Sequence, residues 1–118
     1  MSKPETITID DVQYVRADKK TVETLKDYAI VRCDRAGVFA GYIESESGQN
    51  VTLKNARRLW YWSGAASLSQ MAMEGTKKPN ECKFPCAVAE IRLKDAIEVI
   101  PATEAARKSI EGVKIWTV

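Results

Sequence analysis

The residues best suited to specific chemistry lie in one twelve-residue stretch, which reads RRLWYWSGAASL and runs from Arg57 to Leu68. Two adjacent arginines precede three consecutive aromatic residues, and a run of small residues follows. A guanidinium presents a planar fork of N–H donors that matches phosphate or carboxylate. An aromatic face stacks on a planar ring. These residue types therefore predict a binding site for a flat, nucleotide-like anion.

The order of the residues predicts which of them share this site. We expect the third strand of the chain to continue through the aromatic residues, so that alternation places Arg58, Trp60 and Trp62 on one face. Leu59 and Tyr61 would then hold the opposite face of the strand on the core. The competing interpretation is that all three aromatic residues belong to the core or to a subunit interface.

The small residues after the aromatics are predicted to open a helix that runs from Ala65 or Ala66 to Glu74, capped by Ser63 or Gly64. Unpaired N–H groups at a helix start favour anions, and small side chains let a ligand approach the backbone. Two lysines in the following loop could reach the rim of the site, and the first arginine would face another surface or a partner subunit. The predicted ligand-binding residues are Arg57, Arg58, Trp60, Trp62, Ser63, Gly64, Ala65, Lys77 and Lys78.

The sequence offers little for catalysis. It contains no histidine, which removes the commonest general base and excludes Ser-His and Cys-His nucleophiles within the chain. No glycine-rich phosphate loop is present. The candidate acids form no recognisable pair motif; they are Glu44, Glu46, Glu74, Glu90 and Glu98. We therefore predict a protein with no catalytic residues and no cofactor.

The three cysteines, Cys33, Cys82 and Cys86, give no metal signature. Their odd number, without an apolar N-terminal leader, indicates reduced thiols. Cys82 and Cys86 have C-x3-C spacing, but closed zinc sites favour Cys and His ligands, and the chain has too few of them. We expect small, buried, apolar thiols and no metal site.

The net charge of +2 is distributed unevenly along the chain. Residues 51–80 contain five basic residues and one acidic residue, a local charge of +4. The positive excess therefore coincides with the arginine–aromatic stretch and the loop after it. It is sufficient for a local anion site but low for a general DNA-binding surface, which needs many phosphate contacts.

The length of 118 residues predicts one domain, in which residues 1–26 form an arm or an N-terminal hairpin. Predicted strands cover residues 28–33, 38–45, 50–62, 86–93, 96–100 and 113–116. A helix over residues 55–62 is the alternative to the end of the third strand. A second helix is expected to begin after a Thr103 cap and to run through Ile110.

Two positions are predicted to interrupt the regular sheet. Gly41 indicates a bulge or a close approach of two backbones, and a slip in the alternation near Lys54 and Asn55 indicates a bulge. The expected fold is α+β, a small, mostly antiparallel sheet of about five strands with two short helices packed on one side. No apolar run is long enough to span a membrane.

Several segments of the sequence resemble a family of short uncharacterised proteins from bacteriophages and prophages. They read ARRLWYWSGAASL at residues 56–68, AMEG at 72–75, KFPC at 83–86 and IEVIPATEAA at 97–106. The resemblance extends roughly from Tyr28 to the C-terminus. It implies a phage origin and action in the cytoplasm of a bacterial host cell, and it transfers no catalytic residues.

The resemblance and the residue types together predict a non-enzymatic protein. Small phage proteins often counter host defence, some by sequestering nucleotide immune signals. We expect a homo-oligomer that binds a nucleotide-like anionic small molecule, with no membrane association. One alternative is a protein–protein interaction module whose aromatic surface binds a host or phage protein, and a second is a nucleic-acid accessory protein.

Overall fold

The computed structural model describes residues 23–118, and the predicted arm or hairpin at residues 1–26 lies largely outside them. The strands are β1 (Tyr28–Cys33), β2 (Gly37–Ser47), β3 (Asn50–Arg58), β4 (Val88–Leu93) and β5 (Ala96–Pro101). The helices are α1 (Leu68–Glu74) and α2 (Glu104–Gly112), with a 3-10 turn at Pro79–Glu81. The strands form one antiparallel sheet, so the predicted α+β fold is confirmed.

A two-residue turn forces this sheet to curve. The strand order is β4-β3-β2-β1-β5, which places β4 and β5 at opposite edges. In a flat sheet these edges would lie about 19 Å apart, four strand spacings. Only Lys94 and Asp95 join the two strands, and three consecutive Cα–Cα steps span at most about 11 Å. The sheet must therefore curl so that its two edges meet at this turn.

The long strand β2 takes up much of the bend. Cys33 pairs both with Gly37, at the start of β2, and with Ala96 of β5. The backbone N–H of Ala96 donates to the carbonyl of Gln49, just beyond the end of β2, at 3.0 Å. Eleven extended residues would span about 36 Å, so the two ends of β2 approach each other only because the strand bends.

A bulge where β2 pairs with β3 explains Gly41. The pairing register shifts between Ala40 and Tyr42 of β2, and Asn55 of β3 has a φ of 48°. A Cβ atom at Gly41 would lie 2.8 Å from Cβ of Ala56. The predicted close approach at Gly41 and the predicted bulge near Asn55 are therefore both confirmed.

The curved sheet separates two apolar clusters, one on each face. The inner cluster draws residues from all five strands: Val31, Cys33, Phe39, Val51, Leu53, Ala56, Leu93 and Ala96. The helix-side cluster joins Tyr28, Ile30 and Ala40 of the sheet to Leu59, Met71, Ala72, Cys82, Phe84, Ala102, Ala106, Ile110 and Val113. Alternation along β1 and β2 assigns neighbouring residues to opposite clusters, as the strand period of two requires.

The helices begin where a side chain can cap them. Thr103 accepts the N–H of Ala106 at the start of α2, as predicted. The start predicted for α1, at Ala65 or Ala66 with a Ser63 or Gly64 cap, is wrong. Ser67 has an extended backbone and accepts the N–H of Gln70, so α1 begins at Leu68.

The prediction that β3 continues to Trp62 is also wrong, as is the alternative helix over residues 55–62. Arg58 pairs with Phe39, and Leu59 donates its N–H to the carbonyl of Val38. Since β2 begins at Gly37, no strand among residues 23–118 remains to pair beyond that point. The chain continues without regular secondary structure, with one isolated bridge from Tyr61 to Lys83.

Three further expectations about side chains and strands need correction. Leu59 is buried as predicted, but Tyr61 is 52% exposed and does not hold the segment on the core. Cys33 and Cys82 are buried, whereas Cys86 is exposed. The predicted strand 113–116 is reduced to one bridge, between Ile115 and Phe84, because the segment pairs with Phe84, which is itself outside the sheet, and not with a strand. Within residues 23–118 no helix is long and apolar enough to cross a membrane.

The Gly41 contact generates a stability prediction. Gly41→Ala should lower the free energy of unfolding by about 1–3 kcal/mol, the usual effect of overpacking, because the new methyl would press on Ala56. Gly112→Ala is the matched control, since a Cβ there meets nothing within 4 Å. Urea unfolding followed by circular dichroism measures both. Equal midpoints for the two variants would contradict the close approach.

Candidate functional site

Arg58 lies at the end of β3 and is held in place without a carboxylate. Its Nη1 donates to the carbonyl of Ala36 at 2.6 Å, and its guanidinium carbon lies 4.4 Å from the centroid of the Phe39 ring. No described acidic side chain lies within 4.0 Å to form a salt bridge with it. The guanidinium is therefore oriented by a carbonyl and a ring face, and most of its N–H donors remain available.

A groove of about 260 Å³ runs beside this arginine. Arg58, Trp60 and Trp62 all line it, together with residues 35–38 and Leu59. Trp60 is 63% exposed, and Trp62 is half-buried against the helix-side cluster. The three residues predicted to share a face thus border one groove, although the segment that carries the two tryptophans is not a strand of the sheet.

The groove contains one cationic residue that the sequence reasoning missed. Arg35 lies in the turn between β1 and β2, and its Nη2 donates to Asp95 Oδ2 at 2.8 Å. The hydrogen bond and the charge of Asp95 raise the pKa of Arg35. In the sequence Arg35 is only part of a turn, and only the pairing of β2 with β3 places that turn beside Arg58.

Arg57 does not face the groove, and its guanidinium is not available to bind a ligand there, although it was among the predicted ligand-binding residues. It is only 5% exposed and lies on the opposite face of β3. Its Nε donates to the carbonyl of Pro85, its Nη2 to that of Phe84, and its Nη1 to those of Ile110 and Val113, at 2.7–3.0 Å. Burial lowers the pKa of Arg57 from its ordinary value, yet a guanidinium stays protonated. The side chain therefore places a charge at the C-terminal end of α2, where the helix dipole favours a cation.

Gly64, one of the small residues after the tryptophans, packs against protein backbone. Gly64 has a φ of 84°, and a Cβ there would lie 2.4 Å from the backbone nitrogen of Lys78. Lys77 donates its N–H to the carbonyl of Gly64, and Thr76 donates its hydroxyl to the carbonyl of Ser63. Because α1 begins later, the amides of Gly64 and Ala65 are not at a helix start, and that part of the predicted anion site is wrong.

The remaining predicted residues lie outside the groove. Ser63 donates its hydroxyl to Glu81 at 3.2 Å. Lys77 is exposed, with its Nζ 4.0 Å from Glu74, and Lys78 is exposed on the same loop. Neither lysine is among the residues that line the groove. Of the predicted residues, Arg58, Trp60 and Trp62 line the groove, and Arg35, which was not predicted, lines it as well.

Four of the five candidate acidic residues form surface ion pairs: Glu44, Glu74, Glu90 and Glu98. Lys54 pairs with both Glu44 and Glu90, and Arg32 pairs with Glu98. Hydrogen bonds from Lys54 and Arg92 lower the pKa of Glu90. Across the described residues no three His, Cys, Asp or Glu side chains cluster to hold a metal ion.

Comparison with known proteins places the chain in a family. A family model with the description "Domain of unknown function (DUF6948)" matches residues 26–110. The chain belongs to this family. The DUF6948 match spans all five strands, both helices except the last two residues of α2, and every residue that lines the groove. No curated protein and no solved structure matches significantly. The resemblance to an uncharacterised family is therefore confirmed as membership of a family of unknown function.

The different surroundings of the two adjacent arginines generate a second stability prediction. Arg57→Lys should lower the free energy of unfolding by about 3 kcal/mol or more, because several buried carbonyls lose their donors and each costs about 1–3 kcal/mol. Arg58→Lys, the matched control, should cost less than about 1 kcal/mol, since surface substitutions have small effects. Urea unfolding measures both. Similar losses in the two variants would contradict the structural role of Arg57.

Proposed function

We propose that the protein binds a planar, anionic, nucleotide-like small molecule in the groove beside Arg58, without converting it chemically. The observation that carries this proposal is an oriented guanidinium with no carboxylate partner among residues 23–118, next to a tryptophan that is 63% exposed. A planar ring stacked on Trp60 would gain about 1–3 kcal/mol per base. Arg58 and Arg35 would bind the phosphate or carboxylate.

The size of the groove supports a homo-oligomer as the binding form. A volume of about 260 Å³ lies below the roughly 300–1,000 Å³ of pockets that enclose a drug-sized ligand. One chain would therefore cover only part of a nucleotide. A second copy of the chain, placed over the exposed face of Trp60, would complete the enclosure.

The phage origin that the resemblance implies gives this binding a biological use. A non-catalytic protein in the cytoplasm of an infected bacterium would act by lowering the free concentration of its ligand. A nucleotide signal of host defence is the ligand class that matches both the groove chemistry and this setting. Sequestration needs tight binding and no turnover, which agrees with the lack of any recognisable catalytic set in the sequence.

A protein–protein module is the second candidate, and the exposed aromatic surface favours it. Trp60 and Tyr61 are consecutive and are 63% and 52% exposed. Lys83 Nζ lies 5.7 Å from the Tyr61 ring centroid and 5.8 Å from that of Trp116. Tryptophan, tyrosine and arginine are the residues enriched at interaction hot spots. The partner would be a host or phage protein.

The ligand proposal predicts a thermal shift that depends on the groove. Cyclic dinucleotides or ADP-ribose should raise the melting temperature, since a ligand at 100 times its Kd adds about 2.7 kcal/mol. Trp60→Ala and Arg58→Gln should each abolish the shift while the unliganded protein remains folded. Arg92→Gln is the matched control, because Arg92 is an exposed arginine on β4 outside the groove.

Two outcomes would count against ligand binding. One is the absence of a shift with every nucleotide at millimolar concentration. The other is a shift that Arg92→Gln reduces as much as Arg58→Gln does, which would indicate non-specific charge attraction. A host protein retained by the wild type and lost with Trp60→Ala, without any nucleotide shift, would support the interaction module.

A further inference from the structure

A second, larger pocket lies on the other face of β3. Its volume is about 430 Å³, which falls within the range of small-molecule sites. Arg57, Tyr42 and Asn55 contribute polar groups from the sheet, and Glu111 contributes a carboxylate from the last turn of α2. Val113, Ile115 and Ala87 supply apolar surface. Because Arg57 and Arg58 are adjacent strand residues that face opposite ways, this pocket is separate from the groove.

Arg57, which lines this pocket, has one N–H donor more than the acceptors found for it among the described residues. A guanidinium has five N–H groups, and the four hydrogen bonds to carbonyls use Nε, both hydrogens of Nη1 and one hydrogen of Nη2. The second Nη2 hydrogen has no acceptor among residues 23–118. A donor left unpaired on a side chain only 5% exposed is costly. An acceptor atom in the pocket would remove that cost.

Glu111 brings a fixed acceptor. Its Oε2 accepts the hydroxyl of Tyr42 at 2.9 Å, and its Oε1 accepts Nη1 of Arg107 at 2.6 Å. Burial and the hydrogen bond to Glu111 raise the pKa of Tyr42, so its hydroxyl stays protonated and donates. Arg107 is itself held by Glu104 through Nε and Nη2. The carboxylate is therefore oriented, and it retains lone pairs for a ligand donor.

The charges on the pocket walls favour a ligand with no net charge. An anion would meet Glu111, and a cation would meet Arg57. A neutral molecule with a hydrogen-bond acceptor beside a donor could satisfy both groups, while Val113 and Ile115 contact its apolar body. A cyclic amide, with its C=O next to a ring N–H, has this pattern.

We propose that this pocket is a second binding site, for an uncharged cyclic amide of the pyrimidine or purine base class. The ligand carbonyl accepts the free N–H of Arg57, and its ring N–H donates to Glu111. Binding is independent of the aromatic groove. The proposal for this pocket holds whether or not the groove binds a nucleotide.

Uracil and 1,3-dimethyluracil test the proposal, because the second keeps both carbonyls and has no N–H donor. In NMR titrations of the full-length protein, uracil should shift the side-chain amide of Asn55 and the methyl groups of Ile115. Dimethyluracil should bind at least about tenfold more weakly, the loss expected for one charge-assisted hydrogen bond. Glu111→Gln should weaken uracil binding by a similar factor. Equal binding of the two compounds, or no shift with uracil at its solubility limit, would overturn the proposal.

Two further variants separate this pocket from the groove and from loss of folding. Ile115 is exposed at the pocket rim, so Ile115→Trp should fill the space and abolish uracil binding without unfolding the protein. Trp60→Ala should leave uracil binding unchanged. If Trp60→Ala abolishes the uracil-induced shift of the Asn55 side-chain amide and Ile115→Trp leaves that shift intact, uracil occupies the groove and the second site is refuted.

Discussion

One buried guanidinium joins three parts of the chain that are distant in sequence. Arg57 extends from β3 and donates to carbonyls in the segment Phe84–Pro85 and at the end of α2. These carbonyls would otherwise be buried without donors, at a cost of about 1–3 kcal/mol each. The cation also lies where the dipole of α2 favours it. The position of α2 over the sheet, and with it the wall of the larger pocket, therefore depends on this side chain.

The curvature of the sheet determines what lies on each side of Arg57. The two-residue turn between β4 and β5 joins opposite edges, so one face closes around the inner cluster and the other receives the helices. At the end of β3 this division separates two neighbouring arginines. Arg58 reaches the ring of Phe39 and the groove, whereas Arg57 is covered by α2. Adjacent residues of one type thus have different structural roles.

Local signals predicted much of the fold. The limits of β1, the cap at Thr103 and the close approach at Gly41 all follow from preferences that act within a few residues. The end of β3 did not follow from them, because it depends on where β2 begins. The start of α1 was also misplaced. Ser63 and Ser67 flank the small residues, and either serine could cap a helix. The packing of Gly64 on Lys78 excludes Ser63 as the cap.

The sequence by itself determined the fold class, the approximate positions of the five strands and the location of the arginine–aromatic segment. Alternation and residue type also grouped Arg58 with Trp60 and Trp62, and all three line one groove. Tertiary structure alone decided that Arg35 joins them and that Arg57 and Gly64 serve packing. The physical reason is that each of these roles depends on contacts with residues at least a dozen positions away, which no local pattern contains.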